Sequence, residues 1–190
     1  MSTKTVMTMK KNILSILASA LLLSFSLLLP SCGGGDTSGS STETKEPPKS
    51  MVAEEKAPIE VSEDGTTVTI RLTGDDLMKY NLNKIEVKEG QKIKLTLTHI
   101  GKMPKEAMGH NFVLLKPEIT IEAFANEAAL AKDNGYIPES QEANIIAHTD
   151  MVGGGQSTSI EFDAPAKGSY KFMCSFPAHY VNMQGDFVVN

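Results

Sequence analysis

The chain has 190 residues, of which 41% are hydrophobic and 22% are charged. This ordinary composition excludes a collagen-like or wholly disordered protein and indicates one folded domain of common size. The formal net charge of -5 argues against nucleic acid as a partner, because phosphates attract basic surfaces.

Residues 1–31 have the pattern of an export signal. Three lysines precede an apolar run that extends from residue 13 to residue 29, as in a signal peptide. Residues 28–32 (Leu-Leu-Pro-Ser-Cys) resemble the lipobox of bacterial lipoproteins, in which the cysteine is lipidated and becomes the mature N-terminus. The alternative is retention of the run as a short membrane anchor. We expect cleavage, and a domain held outside the cytoplasm in the bacterial cell envelope by a lipid on Cys32.

Gly, Ser, Thr, Glu, Lys and Pro predominate between residues 33 and 63. Such a segment has too few apolar side chains to form a core, so residues 32–63 are predicted to be a flexible linker behind the lipidated cysteine. A coil of about 30 residues spans roughly 30 Å. The folded domain is therefore assigned to residues 64–190.

Apolar and polar residues alternate from about Thr66 onward, which is typical of half-buried strands. The predicted strands are residues 68–72, 85–87, 93–97, 110–115, 143–148, 157–162, 169–174 and 185–189. Residues 117–132, rich in Ala and Glu, are predicted to form the only helix, inserted between strands. About eight short strands at this spacing predict an all-β, antiparallel sandwich or barrel.

Three candidate metal ligands lie in one short segment near the C-terminus. Cys174, His179 and Met183 have the spacing Cys-x4-His-x3-Met, so one loop can bring a thiolate, an imidazole and a thioether to one point. His110, which opens a predicted strand, is the candidate fourth ligand. Two imidazoles, one thiolate and an axial thioether are the ligand set of a blue-copper site. Zinc prefers more cysteines or carboxylates, so one type 1 copper ion is the predicted cofactor.

The other two histidines in the chain have no ligand pattern around them. His99 is predicted to be a buried or partly buried structural residue, and His148 a surface residue at a strand end. Neither is expected to enter the metal site.

Three segments resemble the azurins, a family within the cupredoxins. They are residues 108–114 (Met-Gly-His-Asn-Phe-Val-Leu), residues 146–149 (Ile-Ala-His-Thr) and residues 174–179 (Cys-Ser-Phe-Pro-Ala-His) followed by Met183. The similarity extends in collinear order over roughly residues 68–190. It implies an eight-stranded Greek-key sandwich with a helical flap between strands, a type 1 copper site and electron transfer.

The same resemblance implies roles for residues beside the ligands. The Gly109 carbonyl would be a second, weak axial contact to the metal. Asn111 and Phe176 would direct backbone N–H groups at the thiolate, and the Asn111 side chain would tie the two ligand loops together. Phe112 stands where azurins often have a buried tryptophan, and the usual azurin disulfide is not possible with Cys174 as the only cysteine after Cys32.

The predicted function is transfer of single electrons between extracytoplasmic redox proteins. Electrons would enter and leave through His179, whose ring edge would lie near the surface. Partners would dock briefly at an apolar collar around it. The collar residues are Met78, Met108, Phe176, Pro177 and Ala178.

Two other functions stay open at this point. One is copper storage or delivery by a lipoprotein, and the other is a metal-free adhesive or structural domain. We do not expect an enzyme, because a saturated copper site has no position for a substrate and no Ser-His-Asp or paired-carboxylate group is visible. We expect a monomer.

Overall fold

The computed structural model describes residues 56–190. The strands of this part are β1 Ile59–Val61, β2 Thr67–Gly74, β3 Lys84–Val87, β4 Lys92–His99, β5 Val113–Leu115, β6 Ile145–His148, β7 Ser157–Asp163, β8 Gly168–Met173 and β9 Gln184–Val189. The α-helices are α1 Lys105–Met108 and α2 Ile121–Ala128, and short 3-10 helices cover Lys132–Asn134, Glu139–Asn144 and His179–Val181. The predicted signal peptide, Cys32 and most of the predicted linker lie outside the described residues.

Two mixed sheets form the sandwich. One has the strand order β1-β2-β4-β7 and the other has the order β3-β9-β8-β5-β6. The prediction of an all-β sandwich is confirmed, but an antiparallel arrangement throughout was wrong, because β2 pairs with β4 and β3 pairs with β9 in parallel. The chain leaves the first sheet after β2, forms β3 in the second sheet, and returns to form β4 in the same direction as β2.

The core lies between the two sheets and is built by strand alternation. Val68, Ile70 and Leu72 of β2 are fully buried, while the polar residues between them point away from the core. The second sheet contributes large rings such as Phe172 and Phe187. Burial of one apolar side chain of this size stabilises the fold by roughly 1.5–3 kcal/mol, so the sandwich is a rigid support for the loops at its ends.

The first strand was not predicted. Ile59–Val61 pairs antiparallel with β2, with Ile59 opposite Ile70 and Val61 opposite Val68. These residues fall within the predicted linker, and the described part has nine strands rather than eight. Three residues between polar neighbours are too few to show the alternation that predicts a strand. The strand is instead stabilised by its backbone pairing with β2.

The helical insertion is shorter than predicted. Instead of residues 117–132, α2 covers Ile121–Ala128, and the Thr120 hydroxyl accepts a hydrogen bond from the Ala123 N–H at its start. Its buried face packs in a second apolar cluster with residues of β5 and with Met173 at the end of β8. The helix therefore covers the outer face of the sheet beside the strand end that leads to Cys174. The short helix α1 was not predicted.

Within residues 56–190, no helix has both the length and the apolar character needed to cross a bilayer.

Candidate metal centre

Three of the predicted ligands meet at one end of the sandwich. The ligand atoms of His110, Cys174 and His179 all lie within 4.8 Å of one another. The Cys174 Sγ atom is 3.7 Å from His179 Nδ1 and 3.8 Å from the Gly109 carbonyl oxygen. One metal ion with bonds of roughly 2.0–2.3 Å to nitrogen and sulfur can join atoms at these separations. Burial is nearly complete, since only 3% of His179 is exposed.

The loop between β8 and β9 is closed by its own backbone hydrogen bonds. The Cys174 N–H donates to the Met183 carbonyl at 2.9 Å, and the Met183 N–H donates to the His179 carbonyl at 2.8 Å. These bonds hold the start and the end of the ten-residue segment together, with Met183 fully buried. The spacing in the sequence therefore does bring the three residue types of this loop to one region.

Gly74 at the end of β2 marks where the Met183 and His110 side chains converge. A methyl group added to Gly74 would lie 2.7 Å from His110 Cδ2 and 3.1 Å from Met183 Cε. Real side-chain carbons do not approach so closely, so only glycine fits beside these two residues. The Met183 side chain therefore ends beside the His110 ring.

His110 is held by both its backbone and its ring. Its N–H donates to the Val152 carbonyl, and its own carbonyl accepts from the Val152 N–H. The ring Nε2 lies 2.9 Å from the Asp75 carbonyl oxygen. A carbonyl only accepts hydrogen bonds, so Nε2 carries the proton and Nδ1 carries the lone pair. Within the described part of the chain, His110 Nδ1 is the one buried side-chain nitrogen or oxygen atom without a hydrogen-bond partner.

The unpaired His110 Nδ1 atom indicates whether the cluster can bind a metal ion. A buried hydrogen-bond acceptor without a partner lowers the stability of the fold by about 1–3 kcal/mol. His110 Nδ1 nevertheless has no partner, and its lone pair is free within the cluster of three candidate ligands. A backbone carbonyl on the opposite ring nitrogen is the arrangement that orients metal-binding histidines in proteins. The residues present therefore fit a metal ion.

Burial controls the protonation of the site. It lowers the pKa of His110 and lowers the pKa of His179 to about 4, with positive charge on His110 and His99 acting in the same direction. Burial also raises the pKa of the Cys174 thiol to about 11, although the backbone N–H groups of Asn111 and Phe176 act to lower it. At neutral pH the metal-free site is therefore two neutral imidazoles and one thiol.

Asn111 connects the two loops that carry the candidate ligands. Its side-chain oxygen accepts from the Ser175 N–H at 2.9 Å, and its side-chain nitrogen donates to the Ser175 hydroxyl at 2.8 Å. Both residues are fully enclosed. The predicted role of Asn111 as a tie between the loops is confirmed.

His99 lies closer to the site than the sequence pattern indicated. The prediction of a buried histidine is confirmed, but its ring stacks on the His110 ring with centroids 4.2 Å apart. Its Nε2 lies 2.8 Å from the Met108 carbonyl oxygen. The alternation of β4 could have indicated this inward position, because residues 95, 97 and 99 all point into the core. His148 is exposed, as predicted.

Residues 66–190 match the model of a family described as copper binding proteins, plastocyanin/azurin family. The chain belongs to this family. Members of the plastocyanin/azurin family bind copper and carry electrons, so copper, the predicted cofactor, is confirmed.

Individual relatives agree with this assignment to the plastocyanin/azurin family. Azurin-2 of Alcaligenes xylosoxydans xylosoxydans is 41% identical over 118 residues, which are 58% of this chain and 88% of that protein. Azurin-1 of the same organism is 36% identical over 121 residues, 62% of this chain and 93% of that protein. Outer membrane protein H.8 of Neisseria gonorrhoeae is 38% identical over 115 residues, 58% of this chain and 61% of that protein.

Among solved structures, dithionite-reduced auracyanin from the photosynthetic bacterium Roseiflexus castenholzii is similar to this chain. The TM-score is 0.55 and the sequence identity is 31%, and the alignment covers 69% of this chain and 99% of auracyanin. The shared fold agrees with membership of the plastocyanin/azurin family.

The predicted collar residues are not equally exposed. Met78, Met108, Phe176 and Pro177 are half-buried, and Ala178 is exposed. The Phe176 ring packs on His179 with centroids 4.5 Å apart, and Tyr136 packs edge-on against Phe176 at 5.0 Å. Tyr136 was missed because it precedes β6 by nine residues and has no ligand or strand pattern around it.

The protonation states predict how copper binding depends on pH. Copper(II) binds a thiolate, so between the His179 pKa of about 4 and the Cys174 pKa of about 11 binding must release one proton. The copper affinity is therefore expected to rise about tenfold per pH unit from pH 7 to pH 9. Competition with a chelator of known affinity at several pH values measures this slope. An affinity independent of pH would contradict it.

Proposed function

We propose that this protein is a blue-copper electron carrier whose copper would be held by His110, Cys174, His179 and Met183, with the Gly109 carbonyl as a further weak contact. The observation that carries this proposal is the buried cluster of two imidazoles and one thiol with His110 Nδ1 unpaired. When bound, copper supplies a centre that is reduced and oxidised by one electron. The family membership supports the same chemistry.

The chain itself contributes a fixed, dry environment for that centre. His110 is oriented by the Asp75 carbonyl, and the loop from Cys174 is closed by backbone hydrogen bonds. A site held this firmly keeps its ligand positions nearly constant, so little rearrangement accompanies each electron transfer. The apolar surroundings of the sulfur and the thioether of Met183 favour the less charged copper(I) state and raise the reduction potential.

Electrons are proposed to enter and leave through His179. Its small exposed fraction and its contact with the half-buried Phe176 ring support a short path from the copper ligands to the apolar collar. Small apolar patches suit partners that bind briefly, so the proposed partners are redox proteins that dock at this collar, one at a time, on a monomer.

The proposed location is the bacterial cell envelope, outside the cytoplasm, with the protein held to a membrane by a lipid on Cys32. The export signal and the lipobox-like residues 28–32 support this. A similar protein is named as an outer membrane protein, which is in keeping with an envelope location.

Copper storage or delivery is less well supported. Such a role predicts exposed clusters of metal-binding side chains, whereas the cluster found in residues 56–190 is buried. An enzymatic role is not proposed, because the four ligands leave no position for a substrate.

The proposal is tested by titrating copper(II) into the protein produced from residue 33 onward and recording the visible spectrum. We expect an intense blue thiolate-to-copper band that saturates at one equivalent, bleaches with ascorbate and returns on reoxidation. A colourless or weakly coloured product would reject the electron-carrier proposal and favour copper handling.

A further inference from the structure

His179 is less restrained by hydrogen bonds than the other candidate histidine ligand. Its ring Nδ1 lies 3.7 Å from the Cys174 sulfur, and within residues 56–190 no other hydrogen bond involves the ring. The His110 ring, by contrast, is oriented through its Nε2 atom by the Asp75 carbonyl. Metal-binding histidines usually have such a partner on the second ring nitrogen. The position of the His179 ring therefore depends on packing instead.

Aromatic rings form a continuous row that leads away from this ligand. The Phe176 ring packs on the His179 ring with centroids 4.5 Å apart. The Tyr136 ring meets the Phe176 ring edge-on, with centroids 5.0 Å apart and ring planes at 61°. Aromatic pairs with this spacing and angle attract each other beyond the effect of the area that they bury. Tyr136 therefore supports the ring that packs on the ligand.

The backbone at Tyr136 has a conformation that few residues other than glycine adopt. Its φ is 63°, directly after Gly135 with a φ of 61°. This left-handed conformation is unfavourable for a residue with a Cβ atom and is rare for a bulky one. The turn is closed by its backbone, since the Tyr136 N–H donates to the Ala131 carbonyl at 2.9 Å. Glycine would relieve the strain at this position, so the presence of tyrosine indicates that its ring makes a contact that offsets the strain.

Tyr136 reaches the ligand loop from a distant and well-anchored segment. It lies between α2 and β6, whereas Phe176 and His179 lie between β8 and β9. The next residue, Ile137, is buried in the apolar cluster that also contains Met173 at the end of β8. The backbone beneath the Tyr136 ring is therefore fixed to the same strand that leads into the ligand loop.

We propose that Tyr136 is a positioning residue whose ring holds Phe176 against His179, and thereby keeps the His179 imidazole at the cluster independently of any bound metal. The significance of this role for electron transfer rests on the proposed blue-copper function. A ligand held by protein contacts keeps one position in both oxidation states, so less rearrangement accompanies each transfer. Without the Tyr136 ring, Phe176 is free to move outward and water reaches the His179 ring.

The test measures the accessibility of each histidine in the metal-free full chain, purified in detergent. Diethyl pyrocarbonate modifies neutral imidazoles that solvent reaches, and peptide mass spectrometry gives a separate rate for each of the four histidines. We expect Tyr136→Asn to raise the rate at His179 about three- to tenfold, as the loss of one aromatic pair changes an opening equilibrium. Asparagine is chosen because it tolerates a positive φ. Tyr136→Phe keeps the ring, so it should react as slowly as the unsubstituted chain.

The other histidines separate this role from a merely structural one. His148 is exposed, so its rate should be equal in all the proteins. His99 is fully buried, so its rate reports unfolding of the domain. A general loss of stability raises the rates at His99 and His179 together, whereas loss of positioning raises the rate at His179 alone. An unchanged rate at His179 in Tyr136→Asn, a parallel rise at His99, or an equal rise in Tyr136→Phe overturns the inference.

Tyr136→Gly keeps the test decisive if Tyr136→Asn does not fold, because glycine relieves the backbone strain while it removes the ring. It is expected to give the same selective rise at His179, and no rise would contradict the proposal. These measurements need no copper, so they are separate from the test of the proposed function. If the unsubstituted protein gives no blue band with copper but His179 responds as expected, only the proposed function fails. If the blue band forms and His179 does not respond, only the role of Tyr136 fails.

Discussion

Replacement of Cys174 by serine is expected to abolish the blue colour completely. The colour arises from charge transfer from a thiolate to copper(II), and an alcohol oxygen is neither ionised at neutral pH nor soft enough to replace sulfur as a copper ligand. Serine is slightly smaller and fits the same buried position, so the fold should persist. The visible spectrum of the copper-loaded variant, together with its far-ultraviolet circular dichroism, measures both points.

The chain contains its own control for this substitution. Cys32 is the only other cysteine, so Cys32→Ser removes one thiol just as Cys174→Ser does. It is expected to leave the blue band unchanged. A blue band that persists in Cys174→Ser, or disappears in Cys32→Ser, would show that the assignment of the sulfur ligand is wrong.

Cys32→Ser is expected to move the protein from the membrane fraction to the soluble fraction. Each buried methylene of an acyl chain contributes about 0.8 kcal/mol to membrane binding, so loss of the lipid removes most of the anchoring energy. Cell fractionation followed by immunodetection measures the distribution. Cys174→Ser is the matched control here, and it should stay in the membrane fraction.

The mass of the fractionated protein separates the two possible anchors. A lipidated protein cleaved before Cys32 lacks residues 1–31 and carries the added acyl mass. If Cys32→Ser stays in the membrane with residues 1–31 intact, the uncleaved apolar run is the anchor and the lipid proposal is wrong.

Much of the fold was predictable because each long strand buries one face. In β2 and β4 the inward residues alternate without interruption, and that pattern is independent of the partner strand. The direction of pairing was not predictable, since β2 and β4 are joined through a strand of the other sheet and the local pattern is identical for parallel and antiparallel neighbours. Strand β1 was missed because three residues do not establish a period.

The metal cluster was predictable for a related reason. Cys174, His179 and Met183 occupy one loop, so their proximity follows from sequence spacing. The stacking of His99 on the His110 ring depends instead on packing between segments that are not adjacent in the sequence. His99 could have been placed inward from the alternation of β4, but that alternation does not indicate which ring it meets in the core.

Strand β1 also has a consequence for the tendency of the domain to associate with copies of itself. It covers one edge of β2, with Arg71 of that strand donating its N–H to the Pro58 carbonyl. A chain trimmed at residue 64 would lack this cover and would present unpaired backbone groups of β2 to solvent. Exposed strand edges are templates for pairing with another chain, so a chain that lacks β1 is expected to self-associate more readily than one that keeps it.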